Sequence, residues 1–166
     1  MINRLGLEIG RTDGNEAIAA MTQQVMHAQM GGETGGTEGL IKVGPVTFGL
    51  EYRILLGGEE EGVCIHVYGN DIPGEDKELL RFDCFKVAPH YHYRNGAAKK
   101  NERVFLDYTA EGDPLASTLD KIKTRLPIML IRCEAEDVAR DIDQQEVEAA
   151  LPKIAAWAET MARRRG

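Results

Sequence analysis

At 166 residues the chain has room for one domain with additions. Its 43% hydrophobic and 28% charged residues are the balance of a globular protein, and no apolar run is long enough to span a bilayer. A net charge of −7 argues against broad non-specific binding to nucleic acid, because phosphates are held by cations.

The opening residues, Met1 to Gly6, lack the apolar core of a secretory signal, so a cytoplasmic protein is expected. Cys64, Cys84 and Cys133 are odd in number, sit in apolar contexts and show no C-x-x-C spacing. They read as free, buried thiols in a reducing compartment.

Ile18, Met21, Val25 and Ala28 follow helical spacing, and Met26 and Met30 widen the apolar face. The run from Gly31 to Gly36 suits neither helix nor strand. Residues 1–36 are therefore expected to form an N-terminal helical arm with a Gly-rich joint, and residues 37–166 a single α+β domain.

The middle of the chain reads as a four-stranded antiparallel meander. Val46 to Leu56 alternates apolar and polar residues, as does Val63 to Tyr68. A third strand is expected from about Leu79 toward Tyr93, and a fourth from Arg103 to Tyr108. Burying the apolar faces together sets Ile54 near Ile65 and Ile65 near Phe82. The other face then carries Arg53, His66 and Arg81 in a row, with Cys64 beside Asp83.

Helices follow. Asp113 and Pro114 suit a cap and first turn, with Leu115, Leu119, Ile122 and Leu126 on one face. Pro127 is expected to kink or restart this helix. Asp143 to Glu146 has the form of a capping box. Val147, Ala150, Leu151, Ile154, Trp157, Ala158 and Met161 make the last apolar stripe, which Pro152 is expected to divide. The fold class is α+β, with helices packed on one face of the sheet.

Two arginines, Arg53 and Arg81, suit a phosphate or carboxylate, and His66 suits acid–base work near neutrality. The plainer reading is that strand positions facing solvent are polar and that Arg81 and Asp83 simply pair. His90-x-His92 points two imidazoles to one side of a strand, a usual start for zinc or another divalent transition metal. Asp83, Asp107, His66 and Glu102 all stand open as a third ligand. Simple alternation sets His90 and His92 on the face opposite Arg81 and Asp83, unless Pro89 introduces a bulge. Tyr91 and Tyr93 are either packing or binding residues, and His27 is read as solvated. Parity sets Cys84 in the core, where a thiol is inert. There is no P-loop, G-x-G-x-x-G, H-E-x-x-H or G-x-S-x-G motif, and Ser117 is the only serine.

Arg81-Phe82-Asp83 followed by Pro89-His90-Tyr91-His92 resembles the core of TumE-like toxins of bacterial toxin–antitoxin pairs, over about residues 50–130. The resemblance implies an RNA-acting, translation-inhibiting toxin held by an antitoxin, with Arg81, Asp83, His90 and His92 as its site. The chain differs in having one Pro-His cluster where that family tends to have two.

Three functions follow from these features. One is an interaction or accessory protein, expected from the acidic charge, the Gly-rich joint and the Met-bearing arm, with a protein partner or a second copy bound and no cofactor required. Another is a metal-independent RNase-type toxin, in which one imidazole takes the 2′-hydroxyl proton and another protonates the leaving oxygen. The last is a metal-binding hydrolase built on His90 and His92.

Overall fold

Alternating apolar residues drive the sheet, and the described residues of the computed structural model form six strands where four are expected from the sequence. It describes residues 39–54 and 60–165; the arm and joint read at 1–36 lie outside the described residues. The strands are β1 (Leu40–Val43), β2 (Val46–Ile54), β3 (Glu61–Gly69), β4 (Glu78–Phe85), β5 (His90–Asn95) and β6 (Lys100–Phe105). Each is antiparallel to the next, in the order β1-β2-β3-β4-β5-β6.

The difference from four has two causes. β1 is only four residues long, too short for alternation to show. The stretch from Leu79 to Tyr93 is a hairpin, turning at residues 86–89, where Ala88 adopts a positive φ of 49°. The last strand also runs earlier than expected, because Tyr108 begins the helix α1 (Tyr108–Glu111).

Register departs from expectation at the end of β2. Ile65 pairs with Leu50 on one side and Phe82 on the other, whereas Ile54 pairs with Glu61. Arg53 opposes Gly62, and Gly49 is the residue across from His66, so Arg53 is not in line with His66 and Arg81. At Gly62 a Cβ would lie 2.5 Å from the Cys84 carbonyl oxygen, so the close approach of β3 to β4 requires glycine there.

Helices α2 (Pro114–Arg132), α3 (Glu136–Arg140) and α4 (Gln144–Arg165) complete the fold. The Asp113 side chain accepts from Ala116 N at 2.8 Å, and Pro114 starts α2, as expected. Neither Pro127 nor Pro152 ends its helix. A proline cannot donate to the carbonyl four residues earlier. For Pro127 that carbonyl is Lys123 O, and the Gln144 side-chain amide donates to it instead.

The core lies between the sheet and the helices. Phe48, Leu50, Ile65, Val67, Leu80 and Phe82 come from the sheet, and Ile122, Leu126, Leu130 and Ile154 from α2 and α4. Burying each such side chain contributes about 1.5–3 kcal/mol. At the end of α2, Glu134 takes a positive φ of 59°, while Ala135 N donates to Leu130 O and Glu134 N to Ile131 O. This is a Schellman-type stop. Asn95 Nδ2 donates to Cys133 O at 2.8 Å and fastens the β5–β6 hairpin to it. No helix among the described residues is long and apolar enough to cross a membrane.

Candidate metal centre

The register of β3, β4 and β5 builds the site on the sheet face opposite the core. Cys64 opposes Asp83, which opposes His90. His66 opposes Arg81, which opposes His92. His90 and His92 thus share a face with Arg81 and Asp83, against the expectation from alternation. Pro89 introduces no register shift. Across this hairpin, odd-numbered residues of β4 pair with even-numbered residues of β5, so numerical parity inverts while the face is kept.

Asp83 is the centre, 1% exposed. Its Oδ2 is 3.0 Å from His90 Nε2, 3.4 Å from His92 Nε2 and 3.1 Å from Arg81 Nε. Its Oδ1 accepts from Cys64 Sγ at 2.9 Å and lies 4.0 Å from Arg53 Nη1. Burial opposes the charge, but His90 and the Arg81 guanidinium outweigh it and hold this carboxyl well below the usual range. Burial and the adjacent Asp83 charge push the Cys64 thiol far up, so it acts as a donor and not as a ligand.

The outer nitrogens fix the histidines. His90 Nδ1 is 2.8 Å from Ala88 O, an acceptor only, so this nitrogen carries the proton. His92 Nδ1 is 3.0 Å from Asn101 Oδ1 and donates to it. Both Nε2 atoms therefore face Asp83. Arg81 Nη2, 3.0 Å from His92 Nε2, donates into that lone pair. Between His90 Nε2 and the carboxylate only a proton or a cation is stabilising. The three ligand atoms of Asp83, His90 and His92 all lie within 4.8 Å of one another. Phe85 and Phe105 pack on the His90 ring, with centroids 5.7 and 5.5 Å away.

Of the other third ligands expected, Asp107 caps α1 through Thr109 N, and Glu102 pairs with Arg132. His66 belongs to a second cluster on the same face. Its Nδ1 is bonded to Glu78 and its Nε2 is 3.0 Å from Glu51 Oε1, which leaves no free nitrogen for acid–base work. Arg94 also pairs with Glu78. Arg53, although out of line with His66, leans over Gly62 to reach both Glu51, at 3.4 Å, and Asp83. Tyr91 and Tyr93 fall on the opposite, helix-facing side, in a groove of about 550 Å³ with Lys121, Arg125 and Arg132. Cys84 joins that side too, 3.4 Å from Thr118 Oγ1, with its thiol pushed up to about 12 by burial.

Sequence reasoning missed Glu51, Glu78, Arg94 and Asn101. Glu51 and Asn101 sit at ordinary polar positions of the alternation, so their partners appear only once the register is known.

No curated protein and no solved structure matches the chain. Nothing in these comparisons links it to the TumE-like toxins. A family model, described as a domain of unknown function (DUF7700), matches residues 40–158. That span takes in all six strands and most of the helical layer, and by it the chain belongs to the DUF7700 family.

Proposed function

We propose that this protein binds a divalent transition-metal ion through Asp83, His90 and His92 and uses it for metal-assisted hydrolysis. One observation carries the reading: both histidines are fixed through Nδ1, so that both Nε2 atoms converge on one carboxylate oxygen. Ligands of a tetrahedral ion at about 2.0–2.1 Å stand roughly 3.3–3.4 Å apart. The His90–Asp83 and His92–Asp83 distances, 3.0 and 3.4 Å, are close to this. The Ala88 carbonyl and Asn101 side chain are the outer partners that orient ligating histidines. Three protein donors leave a fourth position for water, the arrangement of catalytic zinc and not of closed structural sites.

A metal-independent RNase needs two imidazoles flanking a phosphate, one as base and one as acid. His90 and His92 instead aim at the same oxygen. The accessory-protein reading draws on the arm at 1–36, which lies outside the described residues.

Elemental analysis after exposure to zinc, followed by dialysis, tests the proposal. One zinc ion per chain is expected in the wild type and none in the His90→Ala, His92→Ala double variant. A wild type without zinc, or a double variant that still retains it, would overturn the reading.

A further inference from the structure

The atoms a metal ion would take are partly held by an arginine. Arg81 Nε is 3.1 Å from Asp83 Oδ2, and its Nη2 is 3.0 Å from His92 Nε2. A guanidinium and a dication cannot share one imidazole lone pair, so metal entry displaces Arg81. Arg53 loses as well, because the Asp83 charge it faces at 4.0 Å would be committed to the ion. Glu51 stays with Arg53 at 3.4 Å but is shared with His66.

Both guanidiniums can be reached from solvent. The Arg53 and Arg81 side chains are 31% and 17% exposed, against 1% for Asp83. They form the rim and the carboxylate forms the floor. A dication beside two released guanidiniums is a repulsive cluster unless an anion joins it. Planar guanidinium forks match the oxygens of a phosphoryl group, and a dianion balances the added charge of the metal.

Resting on the metal reading above, we infer that the loaded site takes a dianionic phosphoryl group, free phosphate or a phosphomonoester, held by Arg81 and Arg53 beside the ion. Metal and phosphoryl group then bind cooperatively, and linkage requires each to strengthen the other by the same factor.

The test titrates cobalt into the full chain with and without inorganic phosphate, and phosphate into the full chain with and without cobalt. Reciprocal tightening of about tenfold or more is expected. Arg53→Ala should lose most of that coupling while binding cobalt as well as the wild type. Arg81→Lys keeps the charge but not the fork, and should bind cobalt while losing coupling. A parallel titration with phenyl phosphate separates the sources: tighter binding with release of phenol marks an ester substrate, and preference for inorganic phosphate marks the free anion. Cobalt binding with no change in phosphate affinity would overturn this inference and leave the metal reading standing. Loss of cobalt binding in Arg53→Ala would overturn it too, by making Arg53 part of the metal site. Absence of cobalt binding in the wild type would overturn both.

Discussion

Glu78 reaches His66 because the β3–β4 register slips by one residue next to Leu79. Leu80 pairs with Val67, yet Glu78 pairs with Tyr68, so Leu79 is the extra residue of a bulge. Leu79 turns into the core and Glu78 turns onto the face of His66. Without the slip, alternation would leave Glu78 on the opposite side, away from the imidazole.

This pair makes stability depend on pH. Burial disfavours charged His66, but hydrogen bonds to Glu51 and Glu78 outweigh it and raise its pKa above 6.5. Burial likewise disfavours charged Glu78, yet His66 and then Arg94 lower it from 4.5 to about 2. A raised histidine contributes stability that is fully present below its unfolded pKa and is lost as pH rises through the folded value. A lowered carboxyl contributes stability present above 4.5 and lost as pH falls toward 2. Both contributions are therefore full between about pH 4.5 and 6.5. Urea unfolding of wild type and His66→Gln at about pH 5.5 and about pH 9 should show a gap that narrows at the higher pH. A gap of constant size would mean that His66 is neutral in the folded protein.

Much of this fold can be read directly, and the losses have specific causes. The alternation from Val46 to Arg53 and the stripe from Val147 to Met161 reflect burial of one face, which periodicity records, and the Asp113–Pro114 start reflects capping chemistry. The hairpin inside Leu79–Tyr93 is hidden because its turn, Lys86-Val87-Ala88-Pro89, contains no glycine or asparagine. Ala88 supplies the positive φ there. With the turn unseen, His90 and His92 take the wrong face, and the Asp83–His90–His92 cluster stays unassembled although each member is recognised. The Leu79 bulge has the same effect on Glu78. The pairing of Cys64 with Asp83, by contrast, follows from the Ile65–Phe82 register and is legible.

Asp83 gathers donors on both oxygens, so its removal strands several groups at once. Asp83→Ala leaves Arg81 and His90 without their anion in a site of low exposure. A loss of about 3–5 kcal/mol is expected for breaking a buried charge pair from one side. Cys64→Ala removes one donor to Oδ1 and should cost about 1–3 kcal/mol, with Cys64→Ser recovering part of it. Chemical denaturation in the presence of a chelator measures these costs without metal. Near-neutral values for Asp83→Ala would show that Arg81 and His90 find water instead, and that the carboxylate is not what holds them.

Gln144 and Pro127 make the most local of the compensations. Pro127 sits inside α2 and has no N–H for Lys123 O, which is the position where an unsatisfied carbonyl bends or ends a helix. Gln144, the first residue of α4, donates its side-chain amide to Lys123 O and approaches Ile122 O at 3.4 Å. α4 thus supplies the bond that α2 lacks, and the two helices are tied where α2 would otherwise break. Gln144→Ala should cost about 0.5–1.5 kcal/mol, the usual net contribution of one hydrogen bond, because the Lys123 carbonyl is open to water. In a Pro127→Ala background the new N–H at 127 can take Lys123 O, so the same substitution should cost clearly less. The double-mutant cycle is then non-additive, by about 0.5–1 kcal/mol. Thermal and urea unfolding of the four proteins would give the coupling. Equal costs in the two backgrounds would show that Gln144 stabilises the helix pair by packing alone and that the carbonyl freed by Pro127 is solvated.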